Sequence, residues 1–222
     1  MSFYIKYIKR LLDILFSLIV LVLLSPLMLL VALAIKLDSK GPAIIAQERL
    51  GRDGIAFRFL KFRSMVIDAE NMDNGPFCPK DDPRVTRVGR FIRATSIDEL
   101  PQFINTLRGD MSVVGFRPML EYQPWPYHHY NEEQMKMFAL RPGITGWAQV
   151  NGRRKITFDK RIELSCWYAD NVCFWLDVKI FFMTIWVIVR NGDNEDDAVG
   201  VVGAPPQSAG EDTHIATYAG GK

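Results

Sequence analysis

The sequence predicts an α+β fold, mainly helical, behind an N-terminal membrane-seeking segment. Three observations carry that prediction. From Leu11 to Ile35 the only residues that are not apolar are Asp13, Ser17, Ser25 and Pro26. Two short runs of alternating apolar residues flank Gly51-Arg52-Asp53-Gly54 in "PAIIAQERLGRDGIAFRFLKFRSM", the pattern of a β-hairpin. Beyond the hairpin, stretches of helical spacing recur between breaks marked by Gly and Pro. A chain of 222 residues can form one domain with a real core and one appendage.

The N-terminal segment admits three readings. Lys6, Lys9 and Arg10, with Ala32-Leu33-Ala34 as an imitation cleavage site, resemble a signal peptide, but the apolar stretch exceeds the usual roughly 7–15 residues. A single spanning helix fits the required length of about 20 residues. Both of its flanks are basic, however, with Lys36 and Lys40 following, so charge gives the crossing little bias. The third reading is a re-entrant hairpin broken at Ser25-Pro26. Proline removes a backbone donor and crowds the preceding turn, and a serine hydroxyl can satisfy the carbonyl set free. Two arms of about 14 residues would each reach about 20 Å, short of the roughly 30 Å hydrocarbon core, so both basic ends would rest on one face. The residues themselves leave the spanning helix and the hairpin open.

The remaining elements follow in order. Val66–Asp73 reads as helical, and "NGPFCPKDDP" as a loop in which Asp81-Asp82-Pro83 is a turn rather than a metal-binding acidic loop. Arg84–Arg93 predicts a short helix with Val85, Val88 and Ile92 inward and a basic outer face, and Gln102–Leu107 another after Pro101. "EYQPWPYHHY" is extended or turned, Asn131–Leu140 is helical, "RPGITGWAQVNGRR" is a Gly-punctuated loop, and Phe158–Tyr168 is helical. Phe174–Arg190 is a helix apolar nearly all round. Core burial is its default, and an interfacial position with Trp175 and Trp186 at headgroup depth is the alternative. Residues 191–222 are small, acidic and rich in Pro and Gly, the composition of a disordered tail.

Charge is divided unevenly. The net +2 combines that tail, with six acids and one base, and a body of 26 Lys+Arg against 19 Asp+Glu, or +7 over residues 1–190. A basic body suits an anionic partner: nucleic acid, lipid headgroups or a nucleotide. Three cysteines (Cys78, Cys166 and Cys173) match no zinc or disulfide framework and read as free thiols in a reducing compartment. His128-His129 lack an acidic third ligand at suitable spacing and read as surface or interfacial residues.

The candidate chemistry lies in "RATSIDELPQFINTLRGDMSVVGFRP", residues 93–118. Asp98 and Glu99 stand side by side, with Arg90, Arg93, Arg108 and Arg117 around them. The structural account is a capping box, Ser96 as N-cap and Glu99 reaching back, with Pro101 in the first turn. The chemical account is phosphate handling. A helix N-terminus favours anions, and arginines grip phosphate oxygens in pairs. A carboxylate beside a polyphosphate needs a mediating cation or a reason to attack phosphorus, so one carboxylate would hold Mg²⁺ or act as a nucleophile.

These residues also carry a resemblance. "KFRSM" at residues 61–65, "SIDELPQFINTLRGDMSVVGFRP" at 96–118, "RPGITGWAQVNGR" at 141–153 and "WLDVKI" at 175–180 stand in the order found in bacterial sugar transferases, the monotopic phosphoglycosyl transferases. The resemblance covers roughly residues 5–190. It implies transfer of sugar-1-phosphate from a UDP-sugar to undecaprenyl phosphate with release of UMP, at the cytoplasmic face of the bacterial inner membrane. That step starts glycoconjugate or polysaccharide assembly. It implies a re-entrant helix-break-helix over 1–38 broken at Ser25-Pro26, and a cytoplasmic catalytic domain over 39–190 with a small β-hairpin and interfacial amphipathic helices. Asp98 matches the nucleophile and Glu99 the residue associated with Mg²⁺. Lys61, Arg93, Arg117, Gln149, Asn151 and Arg153 match substrate-binding positions, and a homodimer is allowed. Phe116, Arg154 and Cys166 depart from the family pattern, which bears on sugar preference and phosphate placement rather than on reaction type.

Two other classes fit parts of the chain. A membrane-anchored nucleic-acid-binding protein would use the basic body, but its arginines cluster around carboxylates and glycines rather than among exposed aromatics. A membrane scaffold would be indifferent to Asp98→Asn.

Overall fold

The computed structural model describes residues 2–69, 72, 82–121, 125–152 and 156–190. A π-helical turn at Tyr4–Ile8 runs into α1, Lys9–Asp38. The hairpin follows as β1 (Ile44–Leu50) and β2 (Ala56–Phe62), antiparallel, with Ile44 opposite Phe62 and Leu50 opposite Ala56. Next come α2 (Arg87–Ala94), α3 (Gln102–Arg108) and β3 (Ser112–Val114). The chain closes with α4 (Glu132–Met135), β4 (Gly143–Thr145), α5 (Trp147–Val150), α6 (Phe158–Asn171) and α7 (Phe174–Arg190). The fold is thus mainly helical with two small two-stranded sheets.

Helix α1 is polar on the side facing protein and apolar on the side facing out. Lys9, Asp13 and Ser17, spaced one turn apart, are buried against the domain, whereas Leu15, Leu18, Ile19, Val22 and Leu23 are exposed. Each buried polar end but one has a partner. Lys9 Nζ lies 2.6 Å from Asp177 Oδ2, which also accepts from the Tyr4 hydroxyl, while Tyr168 donates to Asp177 Oδ1. Asp13 accepts from Ser112 Oγ at 2.7 Å and Val113 N at 2.9 Å. Arg10 donates to the Thr106 and Leu107 carbonyls, capping the C-terminus of α3. At its far end α1 packs Val31 and Ile35 with Phe62 and Ile92. The buried Arg63 guanidinium donates to the carbonyls of Ser39 and Lys40, just past the last turn. No residue from Leu18 to Leu30 is buried, so the two ends are held and the middle is free of the domain.

The helix is not interrupted at Ser25-Pro26: it continues through Pro26 as one element of 30 residues. The reason is local. Pro26 cannot donate to the Val22 carbonyl four residues back, and the Ser25 hydroxyl does so instead, at 2.9 Å.

Other expectations are corrected. Val66–Ala69 is a turn with Asp68 at φ 59°, not the start of a helix. "RPGITGWAQVNG" is not loop throughout. It contains β4, parallel to β3 with Ser112 opposite Gly143, and then α5. A three-residue strand has no period to read, and its partner lies some thirty residues away. Helix α7 buries Asp177 and Ile180 but exposes Trp175, Phe182, Ile185 and Trp186, so its apolar face is turned outward rather than into the core. The main core lies elsewhere, around Leu50, Phe116, Met119, Trp125, Phe138 and Ile162. Cys166 belongs to it, and burial pushes its thiol up to about 11, which leaves it protonated. Residues 191–222, Cys78 and Asp81 lie outside the described residues. Asp82 pairs with Arg84 in a buried ion pair at 2.7 Å.

Candidate active site

Asp98 and Glu99 occupy a single 3₁₀ turn, Ile97–Glu99, which leads through Pro101 into α3. The capping-box account fails here. Ser96 sits in the left-handed region at φ 57°, and its side chain caps nothing. The acidic pair is therefore free of a local structural duty, and a strained non-glycine residue directly before it marks the turn as specially held.

Five sequence-predicted residues converge on this turn. Burial pushes the Asp98 carboxyl up to about 6, the neighbouring Glu99 charge adds to the rise, and Arg93, Lys61 and Arg117 oppose it. Glu99 Oε1 lies 3.3 Å from Arg117 Nη2. Arg93, in the last turn of α2, donates from Nε to Ser64 Oγ at 2.7 Å. Gly89 makes that geometry possible, since a Cβ there would lie 1.9 Å from the Ser64 carbonyl oxygen. Lys61 comes from β2, two residues before the Arg63 that holds the end of α1. The dyad's own helix is fixed by Asn105, which is fully buried. Asn105 Oδ1 accepts from Leu60 N at 3.0 Å, and Nδ2 donates to the Arg58 carbonyl and to Asp110. A side-chain amide thus acts as an extra strand partner for β2.

The other predicted residues stand apart. Gln149, on α5, has both amide atoms sheltered and without a hydrogen-bond partner among the described residues, and a Cβ on Gly146 would lie 2.8 Å from its Oε1. Asn151 donates to the Trp147 carbonyl at 2.8 Å, closing its own helix. Arg153 lies outside the described residues, as does Arg154. Phe116 points into the core at 2% exposure, while its neighbour Arg117 points out to Glu99. A groove of about 400 Å³ lies between α4 and α6, lined by Glu133, Asp159, Glu163 and Trp167, and none of the predicted site residues borders it.

Sequence reasoning missed Ser64, Arg63, Asn105 and Asp177. All four lie inside the motifs quoted above, where a reading aimed at chemistry passed over the residues that hold the chemistry in place.

Two carboxylates crowded enough to push one titration upward are a fitting donor set for a divalent cation shared with phosphate oxygens. Among the described residues no group of three His, Cys, Asp or Glu side chains could hold a metal by itself, so substrate oxygens and water would complete the shell.

The fold and site define a membrane-associated protein with a phosphate-handling dyad. Residues 4–191 match the bacterial sugar transferase family, and the chain belongs to it. It is 44% identical over 186 residues to the UDP-glucose:undecaprenyl-phosphate glucose-1-phosphate transferase of Escherichia coli K12, covering 82% of this chain and 40% of that protein. It is 45% identical over 188 residues to an Aeromonas hydrophila UDP-N-acetylgalactosamine-undecaprenyl-phosphate N-acetylgalactosaminephosphotransferase, covering 82% and 44% respectively. An uncharacterised sugar transferase of Bacillus subtilis strain 168 is 40% identical over 194 residues, covering 86% of this chain and 93% of that protein. The chain therefore spans under half the length of the first two relatives.

Proposed function

We propose that this chain transfers sugar-1-phosphate from a UDP-sugar to undecaprenyl phosphate through a covalent phosphosugar on Asp98. The observation that carries this is the convergence of Lys61, Arg93 and Arg117 on the Asp98-Glu99 turn, in a helix packed against the membrane helix through Phe16 and Phe103. The relatives' names, which pair UDP-sugars with undecaprenyl phosphate, point the same way.

In this reading an Asp98 carboxylate oxygen attacks the β-phosphorus of the donor. The bond from that phosphorus to the bridging oxygen breaks, and UMP departs with the bridging oxygen. An acyl-phosphate carrying the sugar remains on Asp98. An oxygen of the lipid phosphate then attacks the same phosphorus, and the Asp98 carboxylate leaves. Arg93 and Arg117 grip the non-bridging oxygens, and Lys61 balances charge beside them. Ser64 holds Arg93 in place. Glu99, with Asp98, would hold Mg²⁺, which supplies charge neutralisation on the diphosphate. Gln149, Asn151 and Arg153 line the donor's remaining contacts. The inside-out polarity of α1 supports lipid on its outer side, and its two tethered ends with a free middle support the re-entrant topology, both ends facing the cytoplasm.

Purified protein given Mg²⁺, a UDP-sugar and polyprenyl phosphate should release UMP. Release of UDP instead would mean ordinary glycosyl transfer and would overturn the reading. A panel of UDP-sugars assayed the same way identifies the donor.

A further inference from the structure

We propose that the outer face of α2 is a second membrane-contacting surface, with Arg87 and Arg90 among anionic phospholipid headgroups and Phe91 at the level just beneath them. The inference rests on the reading of α1 as membrane-embedded. It begins from how α2 lies on α1. Val88 N donates to Asp38 Oδ2 at 3.1 Å, which ties the first turn of α2 to the last residue of α1. Four residues on, Ile92 packs in one cluster with Val31, Ile35 and Met28. Helix α2 therefore runs back along α1, from its end toward its unburied middle.

The faces of α2 are then sharply divided. Gly89 and Ile92 point inward, and Arg93 reaches Ser64 and the dyad. Arg87, Arg90, Phe91 and Ala94 are exposed, Phe91 at 62%. A single exposed aromatic ring is unremarkable on a soluble surface. Here it stands on a helix laid along the part of α1 that exposes Leu30, Leu33 and Leu37, a strip too apolar for water. Phe91 extends that strip, and the two guanidinium groups beside it match phosphate-bearing headgroups. The occupant is an anionic bilayer surface, by continuity with α1 and by charge. Such seating would hold Arg93, on the same short helix, at a fixed height over the bilayer, where a lipid phosphate must arrive.

The test uses the full chain in nanodiscs of equimolar phosphatidylglycerol and phosphatidylcholine. Phe91→p-benzoylphenylalanine and, on the lipid side of α1, Val22→p-benzoylphenylalanine are irradiated, and phospholipid adducts are identified by intact mass. Ala94→p-benzoylphenylalanine serves as a second reporter of the same face. Adducts at 91 or 94 are expected, with the phosphatidylglycerol share raised over that at position 22 by up to about five-fold per arginine. Arg87→Gln with Arg90→Gln should abolish that enrichment. Adducts at 22 but none at 91 or 94 would overturn the α2 surface and leave the membrane reading of α1 standing, whereas none at any position would overturn the α1 reading beneath it. Adducts at 91 with the same lipid ratio as at 22 would overturn the anionic-headgroup assignment.

Discussion

Asp98 illustrates how one carboxyl can be set against the stability of its own fold. The folded protein holds its proton more tightly than the unfolded chain does, since its pKa stands at about 6 instead of the usual value near 4. Stability is therefore lost as pH rises from about 4 through about 6, and the ionised form is the strained one at neutral pH. Asp98→Asn removes that loss. In EDTA at pH 8 it should raise unfolding stability by about 1–2 kcal/mol, after discounting for partial solvent screening, and the gain should vanish near pH 4. The same variant should no longer trap labelled sugar phosphate on the protein. A destabilised variant, or one that still becomes labelled, would move the nucleophile elsewhere. Asn105 is the opposite kind of residue. Asn105→Ala leaves the Leu60 amide and the Arg58 carbonyl without their partner and should cost about 2–3 kcal/mol in thermal unfolding. A cost under about 0.5 kcal/mol would show that β2 does not depend on it.

At the scale of the element, α1 turns on Ser25 and Pro26. Ser25→Ala strands the Val22 carbonyl in an apolar setting and should destabilise by about 1–2 kcal/mol. In a Pro26→Ala background the residue 26 amide donates to that carbonyl itself, so Ser25→Ala should then cost little. An equal cost in both backgrounds would mean that the hydroxyl does not replace the missing donor. Tags at the two ends of the protein test topology directly: both should report the cytoplasm, and a periplasmic N-terminus would exclude the re-entrant arrangement. The serine's role was legible in the sequence because it depends only on spacing along one helix. The continuity of the helix was not, because whether a proline interrupts a helix depends on what holds the two arms.

Across the whole molecule, the membrane helix and the site are fastened to each other by polar side chains. Lys9, Asp13 and Arg10 reach α7, β3 and α3, and Arg63 reaches back from β2. Breaking the buried Lys9–Asp177 pair from one side leaves an uncompensated charge, which costs about 3–5 kcal/mol. Lys9→Met and Asp177→Leu should each be that damaging alone, and the double variant markedly less so. Strictly additive losses would mean that the pair is not coupled. The mechanism and the anchor thus share a frame in which α3 is capped by the membrane helix at one end and carries the dyad at the other.

By itself the sequence determined what local spacing and composition can express. Those features are the long apolar segment with Ser25-Pro26 at its centre, the hairpin, most of the helices, and the adjacent carboxylates flanked by arginines. Tertiary structure alone decided which cations meet the dyad, that Ser96 caps nothing, that Phe116 turns inward while Arg117 turns out, and that β4 pairs with β3. The physical reason is that these outcomes are set by contacts between residues thirty to more than a hundred positions apart, whose side chains acquire partners only once α1, α2 and α3 have packed together.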